Sequence, residues 1–222
     1  MRSATEPRSS LSGRLAAWLA FVGVITAIGY ASRFTEGAPS RNALYQWSTT
    51  VGELITFAII ITVTLAITGP HHDLLALRRP RSWTRAAKLA VPAFIAAFIA
   101  ISAIDQALHG SREQGLVPKH WEPSHAGPYF ANFVIVAAVA PIAEELLFRG
   151  LGFSLLERFG KWPAILAVGI AFGLYHGLVQ ALPELALFGC MLAWLRYETG
   201  SVFPGMIVHA TFNTIGLLSM FL

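Results

Sequence analysis

Long apolar runs, separated by short polar segments, dominate this chain of 222 residues. Several of the runs exceed the roughly 18 consecutive apolar residues that are typical of a transmembrane helix. The pattern therefore predicts an all-α fold, a polytopic membrane bundle of about seven transmembrane helices. The predicted helices cover residues 14–32, 47–68, 87–109, 129–158, 162–182, 184–197 and 202–221.

The distribution of polar residues divides the chain into a tail and one membrane domain. The first residues, "MRSATEPRSSLSG", are polar and basic, a composition typical of disorder, so we expect a disordered tail over residues 1–13. Residues 14–222 are expected to form a single membrane domain. Within it, residues 14–128 supply N-terminal helices and loops, and residues 129–220 form a core with the candidate chemistry.

The composition favours a lipid bilayer, and no nucleic acid, as the partner of the chain. Hydrophobic residues make up 55% of the chain and charged residues 13%, whereas a soluble domain is about 25% charged. If the N-terminus is cytoplasmic, twelve of the sixteen Lys and Arg residues lie on the inner side and four on the outer side. Because basic residues concentrate in cytoplasmic loops, we expect a cytoplasmic N-terminus.

Ionisable and amide side chains lie within three of the predicted membrane helices. They occur in "AEELLFRG" at 143–150, in "FGLYH" at 172–176 and in "HATFN" at 209–213. Ionisable residues inside a membrane are costly and are usually functional. Each motif alone is equally consistent with a structural role, as an ion pair or a hydrogen bond between helices. Together, the three motifs indicate a site.

Helical spacing separates the roles of the two adjacent glutamates. Glu145 and Arg149 are four residues apart, so they share a helix face and can form an ion pair. Glu144 is rotated by about 100° from Glu145, which leaves it outside that pair. Glu144 and His176 each lie sixteen residues from Gly160, in the turn between their predicted helices. An antiparallel hairpin therefore places these two residues at one depth.

Such a set of groups can hydrolyse an amide by either of two routes. In the first, Glu144 held by His176 takes a proton from water, while His209 and Asn213, which share a helix face, donate hydrogen bonds to the developing oxyanion. In the second, Glu144, His176 and His209 form the two-histidine, one-glutamate ligand set of catalytic zinc, with Asn213 behind the ligands. The residue types leave both routes open.

The three motifs resemble the pattern of the CAAX prenyl protease and bacteriocin-processing family of intramembrane endopeptidases, known as CPBP or ABI. The family pattern is Glu-Glu-x-x-x-Arg, then Phe-x-x-x-His, then His-x-x-x-Asn. Here it stands complete and in order as "EELLFR", "FGLYH" and "HATFN", and the resemblance covers about residues 129–220. It implies hydrolysis of peptide bonds in a membrane-embedded or membrane-proximal peptide or protein substrate.

The resemblance also implies roles for single residues. Four correspond to catalytic positions, the pair that activates water and the oxyanion hole: Glu144, His176, His209 and Asn213. Glu145 and Arg149 correspond to supporting positions, and Phe172 places an aromatic wall one turn before the histidine of its motif. The family is often labelled as metalloproteases, but a metal-free glutamate mechanism also accounts for its motifs. We favour the metal-free route, with no cofactor, over zinc.

The number of predicted transmembrane helices bears on the type of family member. Seven transmembrane helices are fewer than the eight expected of the eukaryotic members that process prenylated proteins. The resemblance therefore favours a bacterial-type member in the plasma membrane.

Two functions outside proteolysis are consistent with the same residues. One is a non-catalytic membrane protein of the same fold, acting as an immunity factor or a scaffold, although no motif position is degraded. The other is a proton-coupled transporter, because buried Glu and His residues also relay protons. Transporters usually show repeated halves, whereas here the polar residues crowd into one half of the chain.

Overall fold

The computed structural model describes residues 8–37, 42–114, 118 and 120–219. In that part of the chain the regular structure is helical throughout, and no strand occurs. Short 3₁₀ turns at Ala43–Tyr45 and His72–Leu75 connect the longer elements. Those elements are α1 (Arg8–Glu36), α2 (Trp47–Thr68), α3 (Trp83–Leu108), α4 (Gly110–Gln114), α5 (Pro123–Phe159), α6 (Lys161–Tyr175), α7 (Leu182–Thr199) and α8 (Phe203–Leu218).

Within the described residues, seven long helices form the bundle, as the apolar runs predicted. By length and composition, four of the described helices can cross a membrane, namely α1, α2, α3 and α5. Helices α6 and α8 are apolar but shorter. The prediction of a helical membrane bundle is confirmed at this level, and the number of spans and the cytoplasmic N-terminus stay predictions.

The bundle has two ends, defined here by their turns. The Gly160 end carries the segments 69–82 and 200–202, where the Arg78 side chain donates a hydrogen bond to the Gly200 carbonyl. The His176 end carries the segments 109–114 and 176–181, which the Glu113 side chain joins. Because the long helices run alternately between the two ends, each connecting segment lies against its neighbours at the same end.

Several helix boundaries differ from those expected, and two of them change the description of the chain. The fifth predicted helix was to continue to residue 182, but α6 ends at Tyr175. Gly177 has a φ of +65°, a left-handed conformation that commonly ends a helix and that glycine adopts without strain. At the other end of the chain, α1 begins at Arg8, so residues 8–13 of the expected tail are helical, and residues 1–7 lie outside the described residues.

Helix α5 is interrupted by two π-helical stretches. They cover Ile135–Val139 and Glu145–Gly152, so they lie on either side of Glu144. A π-helical turn contains one more residue than an α-helical turn, and such stretches occur frequently at functional sites. The chain around the glutamate pair is therefore not the regular α-helix that the sequence predicted.

Close packing of glycines brings α6 and α7 together. A Cβ atom on Gly189 would lie 2.8 Å from the carbonyl oxygen of Gly169, and one on Gly173 would lie 3.0 Å from the backbone nitrogen of Ala186. Small residues of this kind let membrane helices approach closely. Cys190 is half-buried and packs against Gly169 at this contact.

Helix α1 packs on the second π-helical stretch of α5. The Trp18 indole is 1% exposed, and its Nε1 donates a hydrogen bond to the Leu147 carbonyl at 3.0 Å. Gly152 leaves room for the indole, because a Cβ atom there would lie 2.5 Å from the Trp18 ring. The N-terminal helix therefore supports the segment that carries the glutamate pair.

Candidate active site

A cavity of about 470 Å³ opens among helices α1, α2, α5, α6, α7 and α8. Most of its wall is apolar, and its volume is within the range of small-molecule and peptide pockets. All four residues that the sequence proposed as catalytic line this one cavity. They are Glu144, His176, His209 and Asn213.

Glu145 and Arg149 form an ion pair beneath the cavity. Arg149 Nη1 donates to Glu145 Oε1 at 2.9 Å, and both side chains are fully buried. Arg149 Nη2 donates to the Gly189 carbonyl at 3.0 Å, which ties α5 to α7. Helix α8 approaches equally closely, because a Cβ atom on Gly205 would lie 2.6 Å from Glu145 Oε2. The buried ion pair therefore lies where α5, α7 and α8 meet.

His209 lies between the two adjacent glutamates. Its Nδ1 is 3.2 Å from Glu145 Oε1, and its Nε2 is 3.6 Å from Glu144 Oε2. Because a carboxylate accepts hydrogen bonds, the Nδ1–H of His209 donates to Glu145. That bond fixes the plane of the ring and directs Nε2 toward the cavity. Glu145 therefore orients a histidine in addition to balancing Arg149, which helix spacing alone did not indicate.

His176 is held by the backbone of its own helix. Its Nδ1 lies 2.7 Å from the Phe172 carbonyl oxygen, and a carbonyl can only accept a hydrogen bond, so Nδ1 carries the proton. In the neutral ring Nε2 is then unprotonated and free to take a proton. Because α6 ends at Tyr175, His176 directly follows the last residue of the helix. There it lines the cavity.

Asn213 supplies a hydrogen bond that the backbone of α5 lacks. The N–H of Ala140 donates to the Ile135 carbonyl, so the same π-helical pattern would pair the Val136 carbonyl with the N–H of residue 141. That residue is Pro141, which has no N–H. Asn213 Nδ2 donates to the Val136 carbonyl instead, at 2.8 Å. One amide N–H of Asn213 is thereby fixed, and the other remains available to a ligand.

The Phe172 ring packs against the charged and imidazole groups of the site. Its centroid lies 4.7 Å from the His176 ring and 5.6 Å from the His209 ring, both in edge-to-face arrangement. The Arg149 guanidinium carbon lies 4.2 Å from the same centroid, within the range of a cation–π contact. Phe172 therefore sets the spacing between the two histidines.

The zinc alternative required three ligands at one point. Among the described residues, no three His, Cys, Asp or Glu side chains are grouped as a metal site. His209 has both ring nitrogens near carboxylates, and His176 gives its Nδ1 to a carbonyl. Zinc would therefore have to bind through the Nε2 atoms of His176 and His209 and through Glu144. Removal of metal by a chelator tests this alternative.

Two further ionisable residues line the cavity and were not part of the predicted site. They are Glu53 on α2 and Tyr175 at the end of α6. Tyr175 stands inside the motif "FGLYH". Glu53 is the one charged residue in the predicted helix 47–68, so the rule that singled out the three motifs also applied to it. The signal was present in the sequence but fell outside the half of the chain with the motifs.

Glu113 of α4 fixes the loop that follows His176. Its carboxylate accepts hydrogen bonds, at 2.6 to 3.0 Å, from the backbone N–H groups of Val179, Gln180 and Ala181. Arg33 Nη2 of α1 lies 3.4 Å from the same carboxylate. Burial alone would raise the pKa of Glu113, but the three backbone donors and the Arg33 charge outweigh it and lower that pKa below its ordinary value. The loop is thus attached to α1 and α4.

We expect the Glu113→Gln substitution to lower the free energy of unfolding by about 1–3 kcal/mol, the range for hydrogen bonds to a charged group. Because the folded-state pKa of Glu113 is lowered, its contribution is complete at neutral pH. The contribution is lost as the pH falls below about 4 and the carboxylate protonates. Melting temperatures in detergent, measured from pH 7 to about pH 2, should show the two proteins converging below about pH 4. The Glu157→Gln variant, at an exposed position, is the control, and a pH-independent gap would contradict the prediction.

Comparison with known proteins agrees with the motifs. Residues 126–215 match the family model described as Rce1-like, type II CAAX prenyl endopeptidase. No curated protein and no solved structure matches the chain. Helices long enough to cross a membrane and the match to a membrane protease family make this an integral membrane protein. The resemblance predicted from the three motifs is confirmed, because residues 126–215, which hold all four candidate catalytic residues, match the model of the CAAX prenyl endopeptidase family.

Proposed function

We propose that this protein is an intramembrane endopeptidase that hydrolyses a peptide bond with a water molecule activated by Glu144 and His176. The observation that carries the proposal is the meeting of all four motif residues on one cavity. The substrate is a peptide or protein segment within or beside the bilayer. The family description names prenylated CAAX substrates, and a bacterial-type member acting on other membrane peptides fits the seven long helices better.

Water activation is assigned to Glu144 and His176. The Glu144 carboxylate takes a proton from water as the oxygen attacks the carbonyl carbon of the substrate. The unprotonated Nε2 of His176, which follows from the bond between its Nδ1 and the Phe172 carbonyl, accepts a hydrogen bond from the same water. The proton on Glu144 then passes to the departing amine, which completes the hydrolysis.

Stabilisation of the oxyanion is assigned to His209 and Asn213. The Nε2 of His209 must carry a proton in order to donate to the oxyanion, while its Nδ1–H donates to Glu145. The imidazolium form meets both conditions, and the Glu145 carboxylate stabilises it. The amide N–H of Asn213 that is not bonded to Val136 is the second donor. Donors held in place before the reaction are effective because they need no reorganisation.

The depth of the site in the membrane follows from the proposed topology. With a cytoplasmic N-terminus in a bacterial plasma membrane, α6 and α8 run from the inner to the outer side. His176 and Asn213 lie late in these two segments, so the cavity lies toward the outer leaflet.

The proposal is tested by incubating purified protein in detergent with a peptide library and identifying the products. We expect cleavage that survives chelation by EDTA or phenanthroline, because Glu144 acts as a base and not as a ligand. Purified protein should contain less than one zinc per chain. Activity that is lost to the chelator and restored by zinc would contradict the metal-free route and assign Glu144, His176 and His209 as ligands, where zinc lowers the pKa of its bound water to about 7.

A further inference from the structure

Glu53 contributes a second carboxylate to the cavity that holds the reacting groups. It lies in the second turn of α2 (Trp47–Thr68), outside the segment that matches the protease family. Phe57, one turn later on the same helix face, also lines the cavity. Helix α2 therefore presents an acid followed by an aromatic ring to whatever enters.

The carboxylate of Glu53 has no partner among the described residues. Its Oε2 is buried and receives no hydrogen bond, and no Lys, Arg or His in that part of the chain lies within ion-pairing distance of it. Buried polar groups in folded proteins are nearly always hydrogen-bonded, because an unpaired one costs free energy. The missing donor is therefore expected from a molecule that enters the cavity.

The charge of the cavity wall indicates which class of hydrogen-bond donor would pair with Glu53. Two carboxyl groups, Glu53 and Glu144, face the cavity, and neither Lys nor Arg is among the described residues that line it. The nearby cation, Arg149, is already bonded to Glu145 and to the Gly189 carbonyl. Even with His209 in the imidazolium form, the two carboxylates leave the wall with a net negative charge, and the rest of it is mainly apolar. Lysine and arginine side chains match this combination, because each has an apolar stem and a cationic head.

We propose that Glu53 forms a subsite that binds a basic side chain, Lys or Arg, of the peptide substrate, next to the bond attacked in the cavity. The proposal rests on the endopeptidase function above and adds a substrate class to it. The cationic head pairs with the Glu53 carboxylate, and the stem packs on Phe57. Glu53 is a specificity residue and takes no part in the transfer of protons.

The test uses pairs of peptides that differ in one residue near the cleaved bond, Lys in one and norleucine, which has the same four-carbon stem without the ammonium group, in the other. The intact protein should prefer the Lys peptide in kcat/KM by about ten- to a hundredfold, the range for a charge-assisted hydrogen bond. In the Glu53→Gln variant this ratio should fall to near one. A Glu53→Arg variant should prefer a peptide with Glu at that position. The exposed Glu157→Gln change should leave the preference for Lys intact.

Binding measured without turnover separates this proposal from the proposed function. Labelled Lys and norleucine peptides are titrated against the Glu144→Gln protein, with and without Glu53→Gln. Tighter binding of the Lys peptide that depends on Glu53 supports the subsite even if no variant hydrolyses peptides. Equal binding of both peptides, binding of neither, or a preference that persists in Glu53→Gln overturns it, even if cleavage is observed.

Discussion

The Glu144→Gln protein should lose turnover by about 10²- to 10⁴-fold, the contribution of a positioned general base, while remaining folded. Glutamine has nearly the same size as glutamate and keeps a hydrogen-bonding group 3.6 Å from His209, but it cannot take a proton from water. Peptide cleavage is measured as kcat, and folding as the melting temperature in detergent. The change removes a buried charge, so we expect no loss of stability.

Variants of Asn213 and Glu145 provide the comparisons for the Glu144→Gln result. Asn213→Ala removes one oxyanion donor, which typically lowers turnover by about 10²- to 10³-fold, so measurable activity should remain. That variant should also melt lower, because the Val136 carbonyl loses its hydrogen bond. If Glu145→Gln abolishes turnover in a stably folded protein while Glu144→Gln stays active, the assignment of the base is reversed.

The Glu145→Ala protein should be destabilised by about 3–5 kcal/mol, the cost of breaking a buried ion pair in soluble proteins. Arg149 would keep its charge in a fully buried position without a counter-ion. The expected result is poor expression or a clearly lowered melting temperature. A double variant, Glu145→Ala with Arg149→Met, should recover part of the lost stability, because the methionine fills the space without a charge.

The double variant also separates the two roles of Glu145. Its stability should recover, but its turnover should stay low, because His209 has lost the acceptor of its Nδ1 proton, 3.2 Å away in the native protein. Unfolding and kcat are therefore measured on the same preparations. A double variant no more stable than Glu145→Ala would show that the ion pair is not the source of the loss. A double variant with full turnover would show that Glu145 does not orient His209.

The sequence predicted the helices and the grouping of the candidate site residues better than it predicted the backbone between them. Apolar runs identify helices because a membrane requires about twenty apolar residues in a row, and the helix 47–68 was predicted to the residue. The motifs identified four residues that line one cavity, because ionisable groups stand out against an apolar background. Both results depend on residue type alone.

The features that were missed depend on hydrogen bonds between distant residues. The π-helical stretches of α5 shift the backbone pairing by one residue without changing composition, and Pro141 is their one visible sign. The orientation of His209 by Glu145 requires α8 to approach through Gly205, which spacing within a single helix cannot show. The end of α6 at Tyr175 was marked by Gly177, but the apolar run continues past it.

Contact between α1 and the His176 loop has a consequence for how this protein can diversify. A Cβ atom on Gly177 would lie 2.7 Å from the backbone of Gly29, so α1 closes one side of the cavity, and Glu53 of α2 lines another. The proposed hydrolytic groups all lie within residues 126–215, whereas these walls come from residues before 70. Chimeras that exchange the cavity-facing residues of the first two helices, but keep Trp18 and Gly29, would alter which peptides fit while inheriting an unchanged reaction centre.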